Sequence, residues 1–235
     1  MIWTLHGAVG MAADWREFAD SLPPELGGVR RLDLWRFLDC CPMPLEKIGA
    51  TLVGEIKRID PEPTLVAYSM GGRLALHALL AEPDVWKSAI IISAHPGLSD
   101  EDERAARREK DAAWSALALK GEWSEFLEKW ETQNVLSGAG DMPDRAPLKT
   151  RRASIARSFI DWSLGAQANL VPELNRITCP TLWLTGGQDS KFTEIAKAAV
   201  PDIPHAEHII LPDSGHRIPW EKPSEFSKLV REFIT

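Results

Sequence analysis

Short apolar runs recur along the chain, and between them apolar positions fall three or four residues apart. Ile2–Leu5, Val29–Leu32, Thr64–Tyr68, Ala89–Ser93, Thr181–Thr185 and His208–Leu211 read as strands. Leu45–Ile59, Gly72–Leu80, Thr193–Val200 and Pro223–Phe233 read as amphipathic helices. Strands this short and apolar, alternating with helices, predict an α/β fold. Its sheet is open, mostly parallel, of about six strands, with helices on both faces.

The alternation stops between Pro96 and Leu170. That stretch is charged and helical in pattern, with helices expected over Asp100–Lys120, Glu122–Glu131 and Lys149–Leu164. Gly121 and the turn-rich segment SGAGDMPD separate them. A helical insertion after the fourth strand predicts a cap, residues 96–170, over a core made of residues 1–95 and 171–235. Ligands of open α/β sheets bind at the carboxyl edge of the strands, where such a cap would close a cleft.

Charge narrows the partners. The net charge of -7 is contrary to the basic stripe of a nucleic-acid binder, but a few local arginines on an acidic protein suffice to hold one small anion. Cys40, Cys41 and Cys179 are odd in number and two are adjacent, so no disulfide framework is expected and a reducing cytoplasm is the natural setting. No apolar run reaches the roughly 20 residues needed to span a bilayer.

The sharpest chemical signal is TLVAYSMGGRLAL, an apolar strand running into Tyr68-Ser69-Met70-Gly71-Gly72 and then a helix. This is the pattern of a nucleophile elbow, G-x-S-x-G, with Ala67 in the first glycine position. Leu5-His6-Gly7-Ala8 follows the first strand, where the Ala8 N–H can join that of Met70 in an oxyanion hole. LWLTGGQD places Asp189 after the fifth strand, and LPDSGHRIPWEKP places His216 after the sixth. Ser69, Asp189 and His216 thus lie in the chain order of an α/β-hydrolase triad.

Other candidates carry weaker readings. Asp33 and Asp213 are expected in turns, His77 in packing, and His95 at the edge of a pocket. His205 and His208 lack a third ligand, so no metal site is expected, and no glycine-rich nucleotide loop is present. Arg73 lies one helical turn beyond Ser69 on the same face. It needs an anionic partner, either a protein carboxylate or a substrate carboxylate. Arg104, Arg107 and Arg108 of ERAARREKD are further cations, of which one or two would face the cleft.

Together these motifs resemble the 2-succinyl-6-hydroxy-2,4-cyclohexadiene-1-carboxylate synthases of menaquinone biosynthesis, the MenH-type branch of the α/β hydrolases. AYSMGGRLAL is similar to that branch's elbow, AARREKD to its basic helix, FLEKWETQ to its cap motif and LTGGQDSKFTEIA to its acid loop. The chain departs from the pattern at Ala67, at Glu131 in place of an aromatic residue, and at Asn134 in place of proline. The resemblance implies an α/β-hydrolase fold and a lyase that eliminates pyruvate from an enolpyruvyl-substituted cyclohexene carboxylate, without metal or organic cofactor. It implies substrate contacts from Arg73, Arg107, Trp130 and Tyr68. A carboxylesterase or thioesterase with the same triad, or a non-catalytic binding protein on the same scaffold, are the alternatives.

Overall fold

The computed structural model describes residues 1–39, 42–136 and 142–235. Cys40 and Cys41, on which the disulfide expectation rested, and residues 137–141 of the SGAGDMPD turn lie outside the described residues.

Among the described residues six strands form one sheet: β1 Ile2–Leu5, β2 Val29–Leu32, β3 Thr64–Tyr68, β4 Ser88–Ile92, β5 Thr181–Gly186 and β6 Ala206–Leu211. Their order is β2-β1-β3-β4-β5-β6, and every neighbouring pair is parallel, where the sequence predicted mostly parallel pairing. The residues of β1, β3, β4 and β5 are all buried, whereas the edge strands β2 and β6 keep exposed positions. This is why the central strands read as unbroken apolar runs: both of their faces are covered.

Among the described residues ten helices accompany the sheet: α1 Arg16–Ser21, α2 Arg36–Asp39, α3 Leu45–Ile56, α4 Met70–Ala81, α5 Glu101–Lys120, α6 Trp123–Glu131, α7 Arg152–Asp161, α8 Ser190–Ala199, α9 Ile218–Glu221 and α10 Pro223–Ile234. Alternate strand residues feed two cores. Trp3, Leu65, Ile91 and Trp183 pack with side chains of α3, α4 and α8. Val66, Ile90 and Leu184 pack with Phe18 of α1, Ile218 of α9 and Phe226 of α10. The period-2 alternation of strand side chains is thereby spent on two helical layers.

Helices α5, α6 and α7 fall between β4 and β5. Lys149–Leu164 is not one helix, as its pattern predicted. A 3-10 stretch over Ala146–Arg151 leads into α7, which ends at Asp161. Pro147 lies in the first turn of that stretch, where proline is tolerated. The insertion leaves and returns at one point, where the Leu170 N–H donates to the Pro96 carbonyl at 2.8 Å. Gly97 beside it has φ +123°, and a Cβ there would meet the Ala168 carbonyl at 2.3 Å, so only glycine fits.

No helix among the described residues is long and apolar enough to cross a membrane.

Candidate active site

β3 ends at Tyr68 and α4 begins at Met70, so a single residue, Ser69, makes the turn. Its backbone has φ 52° and ψ −111°, outside the regions a residue with a Cβ ordinarily occupies. The turn is held from both sides. The Ser69 N–H donates to the Ile92 carbonyl at 2.8 Å, and its carbonyl accepts from the Arg73 N–H at 3.1 Å. A Cβ on Gly71 would meet the backbone oxygens of His6 and Leu5 at 2.5 and 2.6 Å, so the elbow glycine is required by the close approach of the β1 loop. Ala67 is fully buried within β3, ahead of the turn.

The histidine and acid arrive on two loops bonded to each other. The Gln188 N–H donates to the Ser214 carbonyl at 2.9 Å and the Gly187 N–H to the Leu211 carbonyl at 2.8 Å. His216 Nδ1 lies 2.6 Å from Asp189 Oδ2, and its Nε2 lies 3.1 Å from Ser69 Oγ. An ionised carboxylate only accepts, so the Nδ1–H faces Asp189 and the bare Nε2 faces the serine hydroxyl. Asp189 also caps α8, its Oδ1 accepting from the Phe192 N–H at 3.4 Å. Phe192 packs against His216 with its ring tilted by 56° and the ring centroids 4.4 Å apart. Glu221 fixes the histidine loop from the other side, accepting from the N–H groups of Gly215 and Arg217.

These groups open on a cavity of about 500 Å³. All nine residues singled out from the sequence line it except Asp189, which stands behind His216: Ser69, His216, Ala8, Met70, Tyr68, Arg73, Arg107 and Trp130. Met70 is the first residue of α4, so its N–H has no acceptor within the helix. Arg73 is buried. Its Nη1 donates to Gln167 Oε1 at 2.8 Å and its Nη2 to the Trp162 carbonyl at 2.6 Å. Of the two partners the sequence allowed, a protein carboxylate is not the one Arg73 bonds. Both of these acceptors are neutral. Burial pulls the guanidinium down to about 9, Arg107 adding to the effect and Asp111 opposing it, so it stays cationic at neutral pH.

Arg107 donates through Nε to both oxygens of Asp111 at 2.9 Å. Of the other two basic-helix arginines, Arg104 and Arg108 bond Glu101 and the Gly165 carbonyl and do not line the cavity. Trp130 packs edge-on to Trp114 and Phe159, making an aromatic wall. Tyr68 sits edge-on to Trp220 at 4.9 Å, and burial pushes its phenol well above the usual range.

Several contributors were not singled out from the sequence. Arg145 forms a buried ion pair with Asp14, and Arg217 pairs with Glu131 at 2.7 Å. Gln167, Glu221 and Trp114 join them, and only Trp114 had a periodic signal, seven residues after Arg107 on the same face of α5. Among the described lining residues, six cations (Arg73, Arg107, Lys110, Arg145, Lys191, Arg217) face three carboxylates (Asp14, Asp111, Glu131). Asp33 is tied to Trp35 and Arg151, and Asp213 sits in a turn with φ 53°. His208 Nε2 bonds Thr185 Oγ1 at 2.7 Å.

The model of the alpha/beta hydrolase family matches residues 4–229 of this chain. The chain belongs to that family. As an α/β hydrolase it is similar to the 2-succinyl-6-hydroxy-2,4-cyclohexadiene-1-carboxylate synthase of Serratia proteamaculans, 29% identical over 100% of this chain and 92% of that protein. It is 28% identical to the synthase of the same name from Pectobacterium atrosepticum, over 98% and 92% of the two chains. The structure of MenH from S. aureus superposes on this α/β hydrolase with a TM-score of 0.85 at 25% identity, covering 99% and 92% of the chains. A thermophilic esterase from Thermogutta terrifontis, 20% identical over 99% and 88%, has the same fold at a TM-score of 0.76. The resemblance drawn from four local motifs thus extends over the whole chain.

Proposed function

We propose that this chain is a cofactor-independent lyase of menaquinone biosynthesis. It eliminates pyruvate from 2-succinyl-5-enolpyruvyl-6-hydroxy-3-cyclohexene-1-carboxylate, with Ser69, His216 and Asp189 as its triad. The observation that carries the reading is Arg73, a buried cation one turn from the nucleophile whose protein partners are neutral. A cation so placed is stabilised by an anion that arrives with the substrate. The names borne by the relatives supply the particular anion.

His216 Nε2 takes the Ser69 hydroxyl proton, and Ser69 Oγ takes the ring proton next to the succinyl ketone. The electron pair of that C–H bond becomes an enolate, whose oxygen accepts from the Ala8 and Met70 N–H groups. As the ring double bond forms, the carbon–oxygen bond to the enolpyruvyl group breaks and its electron pair leaves with the oxygen. The released enolate takes at carbon the proton that His216 gained and becomes pyruvate, which returns the imidazole to its neutral form. Asp189 holds the imidazole in the tautomer that accepts from Ser69 and stabilises it once charged. Arg73 and Arg107 hold substrate carboxylates, while Tyr68 and Trp130 bound the ring. Residues 96–170 act as the cap that closes the cleft.

The test is pyruvate release, followed with lactate dehydrogenase, beside hydrolysis of a small neutral ester. Arg73→Ala and Arg107→Ala should each lower kcat/KM for elimination about ten- to a hundredfold, the worth of a charge-assisted bond of about 1.5–3 kcal/mol, and leave the ester rate nearly unchanged. Ester turnover without pyruvate release would make the chain a carboxylesterase or thioesterase instead.

A further inference from the structure

His95 stands just beyond β4, on the carboxyl edge of the sheet, and lines the same cavity as Ser69 and Arg73. Its ring is fixed by a neighbour that leaves no choice of tautomer. The Gly97 N–H lies 3.1 Å from His95 Nδ1. A backbone N–H only donates, so Nδ1 must be the bare nitrogen and the proton of the neutral ring must sit on Nε2. The loop that imposes this is itself clamped. Gln167 Nε2 donates to the His95 carbonyl at 3.2 Å, Leu170 N–H to the Pro96 carbonyl at 2.8 Å, and Gly97 admits no side chain. Burial, reinforced by Lys191, Arg73 and Arg107, keeps the imidazole neutral by holding it down to about 4. Among the described residues, Nε2 has no protein partner.

We infer that His95 is a ligand-binding residue of this cavity, whose Nε2–H donates to a carboxylate or carbonyl oxygen of the bound anion. The assignment rests on reading the cavity as an anion site. Its chemistry differs from that of the arginines. A neutral donor adds direction without adding a seventh cation, so it discriminates by the position of an oxygen rather than by total charge. Gln167 couples the two kinds of contact, since its Oε1 accepts from Arg73 while its Nε2 holds the backbone of His95.

The experiment uses three variants of the whole chain. His95→Gln carries an amide near the place of Nε2. His95→Asn keeps an acceptor near the place of Nδ1 for the Gly97 N–H but nothing at Nε2. His95→Leu has neither. Donation to the ligand predicts that Gln stays within about threefold of wild type, while Asn and Leu each raise KM for the enolpyruvyl substrate about tenfold or more. Long-range proton–nitrogen NMR of the labelled protein should show His95 as the neutral Nε2–H tautomer at pH 7. Succinate, the probe anion, should shift that signal, and its Kd by calorimetry should follow the same order across the variants. Recovery by Asn and not by Gln would reduce His95 to a loop anchor and overturn the proposal. An Nδ1–H tautomer, or succinate without effect on the His95 signal, would do the same. If wild type releases no pyruvate, the lyase reading fails alone, and the tautomer and the succinate constants still decide the role of His95.

Discussion

Ser69 occupies a backbone conformation of the kind that costs on the order of 1–3 kcal/mol and persists only where its surroundings enforce it. The reward is exposure of Oγ at the tip of the turn, 3.1 Å from His216. Ser69→Ala should therefore abolish turnover by about 10⁴ to 10⁶ in kcat while leaving the thermal midpoint at or above that of wild type. Wild-type turnover by the folded variant would remove the triad from the mechanism. His77 is a different case, a packing residue whose buried Nε2 has no hydrogen-bond partner among the described residues. Burial, then the charge of Arg73, hold it down to about 4, against 6.5 for the free side chain. The unfolded chain thus takes up this proton first as pH falls, so the contribution is complete above about 6.5 and is lost towards 4, with a slope of at most about 1.4 kcal/mol per pH unit. Urea melts between pH 7 and 4.5 should show a shallower loss in His77→Gln than in wild type. At this scale the sequence was most legible after the ends of strands: Ser69, Asp189 and His216 each follow an apolar run, and the hydrogen bonds bring these three side chains together. Gln167 and Glu221 follow no such run. Gln167 meets Arg73 across 94 residues of chain, and no local pattern encodes that pairing.

The elements that were clear in the sequence are those whose whole length obeys one period. The central strands are apolar throughout because both faces are covered, and α4 and α10 keep a continuous buried stripe. The short helices α1, α2 and α9 went unread because four to six residues are too few to show a period of 3.6. Lys149–Leu164 read as one helix because 3-10 and α turns share the spacing of their apolar positions over a single turn. How separate elements meet was not legible. The Asp14–Arg145 pair joins the loop after β1 to the segment before α7, 131 residues apart. Asp14 also accepts from the Met11 N–H at 2.9 Å, so the pair braces the loop that carries Ala8. Asp14→Asn or Arg145→Met alone leaves one buried charge without its partner and should cost about 3–5 kcal/mol; the double variant should cost less than the two losses added. A denaturant cycle over the four proteins measures this, and strict additivity would show that the two charges do not interact.

On the scale of the whole molecule, a chain of net charge -7 gathers, among its described residues, twice as many cations as carboxylates around one cavity. An anionic substrate therefore meets repulsion from the protein at large and attraction at the mouth, and both are screened by salt over a Debye length of about 10 Å at 0.1 M. kcat/KM for elimination should change with ionic strength, while hydrolysis of a neutral ester stays flat; equal responses would mean that the local excess of cations does not steer binding. The contact between Pro96 and Leu170 has a consequence for how such a molecule is altered. The chain enters and leaves the insertion at this one point, and the crossover to β5 begins only after it, although Arg145, Trp162 and Gln167 of the insertion also bond Asp14 and Arg73 outside it. Replacing residues 97–169 by a tight turn would keep the strand order but remove the partners of Asp14 and Arg73, so the six strands should assemble with a lower thermal midpoint unless the replacement restores those partners. The same cut makes the insertion exchangeable. A different helical hood, grafted at the same point, would put new side chains above Ser69 without moving a strand, so selectivity can be redrawn while the reactive centre is inherited unchanged.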